Sequence, residues 1–226
     1  MSFVPERVRA VTYDSYSTLV DVDAAKVALA DRVSDPEPVS KLWRARSLEY
    51  TFANHIDAYQ PFYEMNRDAL QYALEAHAVD LTTDERDEIL AVYYELDVFD
   101  DVRDGIRRLH GGGYDCSVVS NGNPELLVSM VEHADIGHLI EDTISADEVR
   151  TFKPDAEIYR HAAGRTGTPI TEIAHVSAGW FDVMGGQYAG MQGVWIDRNG
   201  SPLEPFGGGP DLTVETLYDL ADELEV

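Results

Sequence analysis

The 226-residue sequence predicts an α/β fold: a doubly wound parallel sheet with a helical cap inserted after its first strand. Three observations predict it. Short apolar, strand-like runs alternate with helical stretches from about Asp97 onward. One long helical stretch interrupts that rhythm directly after the first run. Polar residues then gather just past the ends of the runs. Strands alternating with helices pair in parallel through right-handed crossovers, which gives a sheet covered on both faces.

Val8 to Tyr13 (VRAVTY) is the first strand, and it stops at Asp14. From about Asp21 to Asp97 the pattern is helical. Trp43, Leu48 and Phe52 recur near helical spacing, as do Ala69, Ala73 and Ala76. Pro36, Pro38, Pro61 and Thr82-Thr83-Asp84 divide this stretch into about four helices. Thr83 with Arg86 three residues later is not a capping box, which leaves that helix start loosely placed. Tyr114 to Val119 is the second strand, following Gly111-Gly112-Gly113. Asn123-Pro124-Glu125 opens a helix with a cap and a first-turn proline. Asp142 to Ser145 is the third strand, and Pro154 starts a helix with Ile158 and Ala162 on one face. Ile173 to Val176 and Gly193 to Ile196 are the fourth and fifth strands. Gly207 to Pro210 forms a loop before a last helix near Val214 to Leu224. The expected organisation is a Rossmann-like core over residues 1–20 and 98–226 and a cap over 21–97.

Acidic residues number 42 against 17 Lys plus Arg, a formal charge of −25. Phosphate backbones would be repelled, so nucleic acid is not an expected partner. With 44% hydrophobic residues in regular patterns, the chain has the material for a packed core and is not disordered. Its only lysines are Lys26, Lys41 and Lys153. An acidic, lysine-poor surface reads as adaptation to a high-salt interior, where screening over about 3 Å at 1 M makes self-repulsion cheap. Cys116 is the single cysteine, which excludes an internal disulfide and a cysteine zinc site. The first ten residues lack an apolar signal core. No stretch approaches the roughly 20 apolar residues of a membrane span. A soluble, cytoplasmic protein is expected.

In open parallel sheets, ligands lie beyond the carboxyl ends of the strands. The first strand delivers Asp14-Ser15-Tyr16-Ser17-Thr18 there, and the second delivers Ser120-Asn121-Gly122. Lys153 and Pro154 follow the third. Ser177, with Asp182 five residues on, follows the fourth. Taken singly, each has a plainer reading. Asp14 also reads as a turn cap, Asn121-Gly122 as a turn pair and Lys153 as a helix-flanking cation. Four such sets converging from distant segments are hard to explain as packing.

The arrangement resembles the haloacid dehalogenase superfamily and, within it, the type II or (S)-2-haloacid dehalogenases. The matching residues are Tyr13-Asp14-Ser15-Tyr16-Ser17-Thr18-Leu19, Leu42-Trp43-Arg44 with Leu48-Glu49-Tyr50, Ser120-Asn121-Gly122, Lys153-Pro154-Asp155 with Tyr159, and Ser177 with Asp182. They span Val8 to about Asn199. The resemblance implies a cofactor-independent hydrolase. Asp14 attacks the halogen-bearing carbon, and the resulting aspartyl ester is hydrolysed to a 2-hydroxy acid. It implies that Lys153 holds Asp14, that Thr18 hydrogen-bonds it, and that Asp182, beside Ser177, fixes Lys153. It also implies Arg44 on the cap for the substrate or the departing halide, Ser120 and Asn121 as hydrogen-bond partners of the substrate carboxylate or of Asp14, and an apolar substrate pocket of Tyr16, Leu48, Phe62 and Phe181, with Tyr159 near the lysine. Arg46, two positions from Arg44, should face elsewhere. The expected partner is a small anionic substrate, and a homodimer is implied by the resemblance alone.

Phosphatases of the superfamily usually place a second Asp where Tyr16 stands, to protonate a leaving alcohol. A halide needs no such acid. Of the oxygen ligands Mg²⁺ requires, only Asp14 and Asp182 are evident, so no metal is expected. A Mg²⁺-dependent phosphatase is the alternative enzyme reading. A non-catalytic small-anion-binding protein is the other, because Gly179 stands where the family commonly has an Asn that helps place the hydrolytic water. Ser17 likewise replaces a common Gly. Gly111 to Gly113 and Gly185-Gly186 form no nucleotide-binding fingerprint. His55, His77, His110, His133, His138, His161 and His175 form no ligand set and read as surface or ordinary core. The acidic run Glu95 to Asp104 reads as a solvated face.

The charge makes a direct prediction. Helicity and thermal stability should fall when salt is reduced from molar KCl to dilute buffer; undiminished melting temperature in dilute buffer would sink the high-salt reading.

Overall fold

The computed structural model of the protein describes residues 2–56 and 58–226, and the side chain of His55 lies outside the described residues. Among these, six strands form one parallel sheet in the order β3-β2-β1-β4-β5-β6. They are β1 (Ala10–Tyr13), β2 (Asp115–Ser120), β3 (Asp142–Ser145), β4 (Ile173–Ser177), β5 (Gln192–Ile196) and β6 (Leu212–Val214). The chain winds outward from β1 through β2 to β3, then returns to the other side of β1 with β4. This reversal puts a crevice at the carboxyl ends of β1 and β4. All residues of β1, β4 and β5 are buried, as expected for strands covered on both faces.

The helices between strands are α5 (Val102–Gly111), α6 (Pro124–His133), α7 (Ala156–Thr166) and α8 (Trp180–Ala189), and α9 (Leu217–Glu223) closes the chain. Between β1 and α5 lie α1 (Asp23–Ala30), α2 (Pro36–Tyr50), α3 (Phe62–Ala76) and α4 (Thr83–Ala91). This block leaves and rejoins the sheet through a narrow neck. Asp21 N donates to Asp97 O at 2.8 Å, and Phe99 N to Leu19 O at 3.1 Å. A bridge joins Val20 to Val98 between them. One apolar core runs continuously from the sheet (Val11, Val118) through the neck (Leu19) to the helical block (Trp43, Leu70, Ile89). A smaller one, around Val119, Ile144, Ile158 and Ile173, lies under α7.

Several boundaries differ from the sequence reading. The helix α4 does carry a capping box, made one residue earlier by Thr82 and Glu85. Pro154 precedes rather than starts α7; Asp155 is the cap, accepting from Glu157 N at 2.9 Å. The last helix starts at Leu217 behind a Thr216–Asp219 capping box, and Val214 belongs to the sixth strand, β6. Three residues are too few to show a period of two; β6 exists because β5 offers it an edge. At α6 the cap position is as read, but the Asn123 side chain caps nothing: its Oδ1 accepts from Tyr63 N, 2.8 Å away on α3.

The turn after β1 holds Ser17 at φ +64°, with Ser17 N donating to Val20 O at 2.8 Å. A left-handed conformation costs a residue with a Cβ about 1–2 kcal/mol. Part of that gain is offset by glycine's freedom when unfolded. Ser17→Gly should therefore stabilise the protein by about 1 kcal/mol, raising its melting temperature by about 2–4 °C. An unchanged or lowered melting temperature would contradict the strain assigned to this turn.

Candidate active site

Asp14 follows β1 directly, and its backbone N–H donates to Val176 O of β4 at 2.9 Å, continuing the sheet ladder to the crevice. Its Oδ1 accepts from Lys153 Nζ at 2.9 Å, and its Oδ2 from Thr18 Oγ1 at 3.0 Å. Thr18 Oγ1 in turn accepts from Ala178 N at 2.9 Å, tying the turn after β1 to the end of β4. The Thr18 carbonyl is held by Arg198, whose guanidinium is buried against Asp101 and lies over the Phe99 ring.

Lys153 is almost wholly buried, with 2% of its side chain exposed. Its Nζ also donates to Asp182 Oδ2 at 2.8 Å, so one ammonium lies between two carboxylates. Its backbone N–H donates to Asn121 Oδ1 at 2.8 Å, which anchors the loop after β3 to the loop after β2. Asp182 sits in the first turn of α8. Its Oδ1 accepts from Tyr159 Oη at 2.6 Å and from His175 Nε2 at 3.0 Å. The glycine at 185 makes this approach of α7 to α8 possible, because a Cβ there would lie 2.5 Å from Tyr159 Oη.

Burial raises the Asp14 carboxyl above its ordinary value; Lys153 works against that rise, and the negative Asp182 adds to it. Burial opposes the Lys153 charge, but the two carboxylates outweigh it and hold the ammonium above the ordinary lysine range. Burial also opposes the Asp182 charge, yet Lys153 and His175 together hold that carboxyl well below the usual range. The result is a firmly ionised Asp182, a firmly charged Lys153, and an Asp14 whose carboxylate is desolvated and 17% exposed toward a cavity.

That cavity has a volume of about 380 Å³ and lies between the strand ends and the helical block. Of the residues singled out in the sequence, Asp14, Tyr16, Arg44, Leu48, Phe62, Asn121, Lys153, Ser177, Phe181 and Asp182 line it, as does Gly179. Tyr16 stacks on Phe62 with ring centroids 5.2 Å apart and meets Tyr93 edge-on at 5.5 Å. Gly122 makes room for it, since a Cβ there would lie 2.7 Å from the Tyr16 hydroxyl. Burial pushes the Tyr16 phenol well above its ordinary value. Arg44 borders the cavity from α2, with Nη2 donating to Asp23 Oδ1 at 2.7 Å and to Val22 O at 3.1 Å. Arg46 faces away, paired with Glu49 and lying over Tyr72. Ser177 Oγ accepts from Gly179 N at 3.0 Å, so the start of α8 is fixed partly by the residue ending β4.

Two residues read as substrate-binding, Ser120 and Tyr159, do not line this cavity. Ser120 is fully buried behind the cavity wall, where its Oγ meets Ser15 Oγ at 2.6 Å and accepts from Gly122 N at 3.0 Å. Tyr159 is also fully buried and gives its hydroxyl to Asp182, so it acts on the site from behind. Other contributors were not foreseen. Tyr93, Asn66, Ser47 and Asn199 line the cavity, and His175 belongs to the network of Asp182. None carries a local signal. Asn66 reaches the site because its Oδ1 accepts from Trp43 Nε1 and Ser47 Oγ, both at 2.8 Å, across the α2–α3 packing.

The chain is similar to known proteins over most of its length. A family model for haloacid dehalogenase-like hydrolases matches residues 8–190. The chain is 32% identical over 201 residues to (S)-2-haloacid dehalogenase 4A of Burkholderia cepacia, covering 88% of this chain and 87% of that protein. It is 30% identical over 224 residues to the (S)-2-haloacid dehalogenase of Pseudomonas sp. strain YL, covering 96% and 95%. Among solved structures, a dehalogenase with intermediate complex superposes with a TM-score of 0.91 at 30% identity, covering 96% of this chain and 97% of that one.

Removing Lys153 leaves two buried carboxylates facing each other without a cation. Lys153→Met should destabilise the protein at pH 7 by about 3–5 kcal/mol in denaturant unfolding. The deficit should shrink as pH falls and the stranded carboxylates take up protons. A variant as stable as the parent at pH 7 would show that the two carboxylates do not depend on this cation.

Proposed function

The chain belongs to the haloacid dehalogenase-like hydrolases, and from that membership and the site geometry we propose that it is an (S)-2-haloacid dehalogenase. The observation that carries the reading is Asp14: a desolvated carboxylate at the floor of a cavity, held at one oxygen by Lys153 and at the other by Thr18.

A free Oδ lone pair of Asp14 attacks C2 of the haloacid from the side opposite the halogen. The C–X bond breaks, and its electron pair leaves with the halide, which needs no proton. The configuration at C2 inverts, and the product is an ester of Asp14. Water then adds to the carbonyl carbon of Asp14 and the acyl C–O bond breaks; one proton of the water goes to the departing alkoxide oxygen and the other to solvent, so Asp14 returns as a carboxylate and a 2-hydroxy acid departs with its C2–O bond intact. Lys153 holds the carboxylate during attack and stabilises the negative charge that builds on the Asp14 oxygen during hydrolysis. The aromatic wall of Tyr16, Phe62 and Tyr93 excludes water from the first step. Asn121 and Arg44, which both line the cavity, take the substrate carboxylate and the departing halide. Tyr16 also speaks against a phosphatase, because a phenol with so high a pKa is a poor proton donor to a leaving alcohol.

We take residues 21–97 as a cap that closes the site through its two-stranded neck. The homodimer, the cytoplasmic location and the high-salt habitat are part of the same reading, the last resting on the formal charge of −25. Among the described residues, no helix is long and apolar enough to cross a membrane.

The test is lactate formation from (S)- and (R)-2-chloropropionate in molar salt without added metal. The S enantiomer alone should yield lactate, of R configuration. Lactate from neither, while an aryl phosphate is hydrolysed with Mg²⁺, would replace this reading by the phosphatase one. Asp14→Asn should reduce turnover by about 10³-fold or more. Because only ionised Asp14 attacks and burial raises its pKa, kcat/KM should fall on acidification with a midpoint above the ordinary aspartate value.

A further inference from the structure

His175 is a titratable side chain at the centre of the sheet, with none of its surface exposed. It stands in β4 directly opposite Thr12 of β1. Its Nδ1 lies 2.9 Å from Thr12 Oγ1, and its Nε2 lies 3.0 Å from Asp182 Oδ1. Thr12 is also fully buried. Two buried polar side chains paired across the middle strands of the sheet are costly unless their hydrogen bonds are made.

The arrangement leaves little freedom in how they are made. An ionised carboxylate only accepts, so the ring nitrogen facing Asp182 carries the hydrogen. The Thr12 hydroxyl meets the other nitrogen. The ring itself cannot turn: Tyr159 packs edge-on with ring centroids 5.5 Å apart. On another side, α8 approaches so closely that a Cβ at Gly186 would lie 3.3 Å from His175 Cδ2.

The consequence lies at Asp182. Its Oδ1 takes two hydrogens, from Tyr159 and His175, and its Oδ2 takes one from Lys153. With Oδ1 engaged twice, the carboxylate plane is fixed and only Oδ2 is presented to the lysine. Part of the Asp182 charge is also drawn away from Lys153, which leaves the ammonium shared with Asp14 rather than pulled off it.

We infer that His175 is a positioning residue for the nucleophile, donating from Nε2 to Asp182 and so fixing the oxygen through which Asp182 holds Lys153 against Asp14. The chain of contacts runs from Thr12 through His175, Asp182 and Lys153 to Asp14. His175 touches neither the cavity nor a reacting atom. The inference concerns the step assigned to Asp14 and in that part rests on the proposed dehalogenation.

Three substitutions separate positioning from packing. His175→Phe keeps an aromatic ring and removes both hydrogen bonds. His175→Gln reaches as far as Nε2 and keeps a donor toward Asp182. His175→Asn reaches only as far as Nδ1 and keeps the contact with Thr12. With (S)-2-chloropropionate, His175→Phe and His175→Asn should each lower kcat about 10- to 100-fold with KM within about threefold. His175→Gln should stay within about threefold of the parent. Near-uniform kcat across the three variants, or a loss in His175→Gln equal to that in His175→Asn, would overturn the inference. Circular dichroism and thermal melts identify any variant that does not fold, and the Gln–Asn contrast decides if the Phe variant is lost.

A second readout does not depend on turnover. The ¹⁵N spectrum of the imidazole in the intact protein should show Nε2 protonated at pH 7, and Asp182→Asn should perturb that resonance. A bare Nε2 would overturn the inference by itself. Should the parent fail to release lactate at all, the proposed function falls, and the imidazole spectrum still decides whether His175 holds Asp182.

Discussion

Two carboxylates brought out of water within reach of each other repel strongly unless a cation lies between them, and a cation there is expensive unless both carboxylates accept from it. Asp14, Lys153 and Asp182 satisfy that condition jointly, at 2.9 and 2.8 Å. Much of the architecture serves it. Asp14 comes from the end of β1, Lys153 from the loop after β3 and Asp182 from α8, three segments that only the assembled sheet and its helices bring together. The contact couples folding to chemistry, since the charge balance that makes the buried trio tolerable also keeps Asp14 desolvated and aimed into the cavity.

The reversal of strand order between β1 and β4 explains the location. At that point the loops after the two central strands diverge to opposite faces and leave a gap at the carboxyl end of the sheet. The hydrogen bond from Asp14 N to Val176 O extends the ladder to that gap, and Thr18 and Ala178 close it from either side. Backbone pairing thus sets the position of the nucleophile to within a hydrogen bond's tolerance. Loop side chains do not have to find it. Arg198, through the Thr18 carbonyl, braces the same turn against Asp101 and the start of α9, where Leu217 N donates to Asp101 Oδ2 at 2.6 Å.

The helical block contributes the opposite wall. Tyr16 from the sheet side meets Phe62 and Tyr93 from the block, so the aromatic lining exists only when the two parts are packed together. Asn123 adds a polar link by accepting from Tyr63 at the start of α3. Arg44, paired with Asp23, is among the described residues the one cation lining the cavity from this block.

The sequence by itself determined the alternation of strands and helices, the insertion after the first strand, and the polar sets that end the strands. Asp14, Lys153 and Asp182 were legible because strand-end carboxylates and a rare lysine stand out against apolar runs of fixed period. Only the tertiary structure decided which polar residues face the cavity and which stand behind it. Ser120 and Tyr159 carry the same local patterns as true lining residues, but strand register and the approach of α7 to α8 turn them inward, to Ser15 and to Asp182. A histidine within a strand looks like core, and His175 joins the site because β1–β4 pairing sets it opposite Thr12 and α8 lays Asp182 across its free nitrogen. The same limit hid β6 and Tyr93. Local periodicity reports which face of an element is apolar, whereas the partner of each polar atom is set by contacts between segments far apart in the chain.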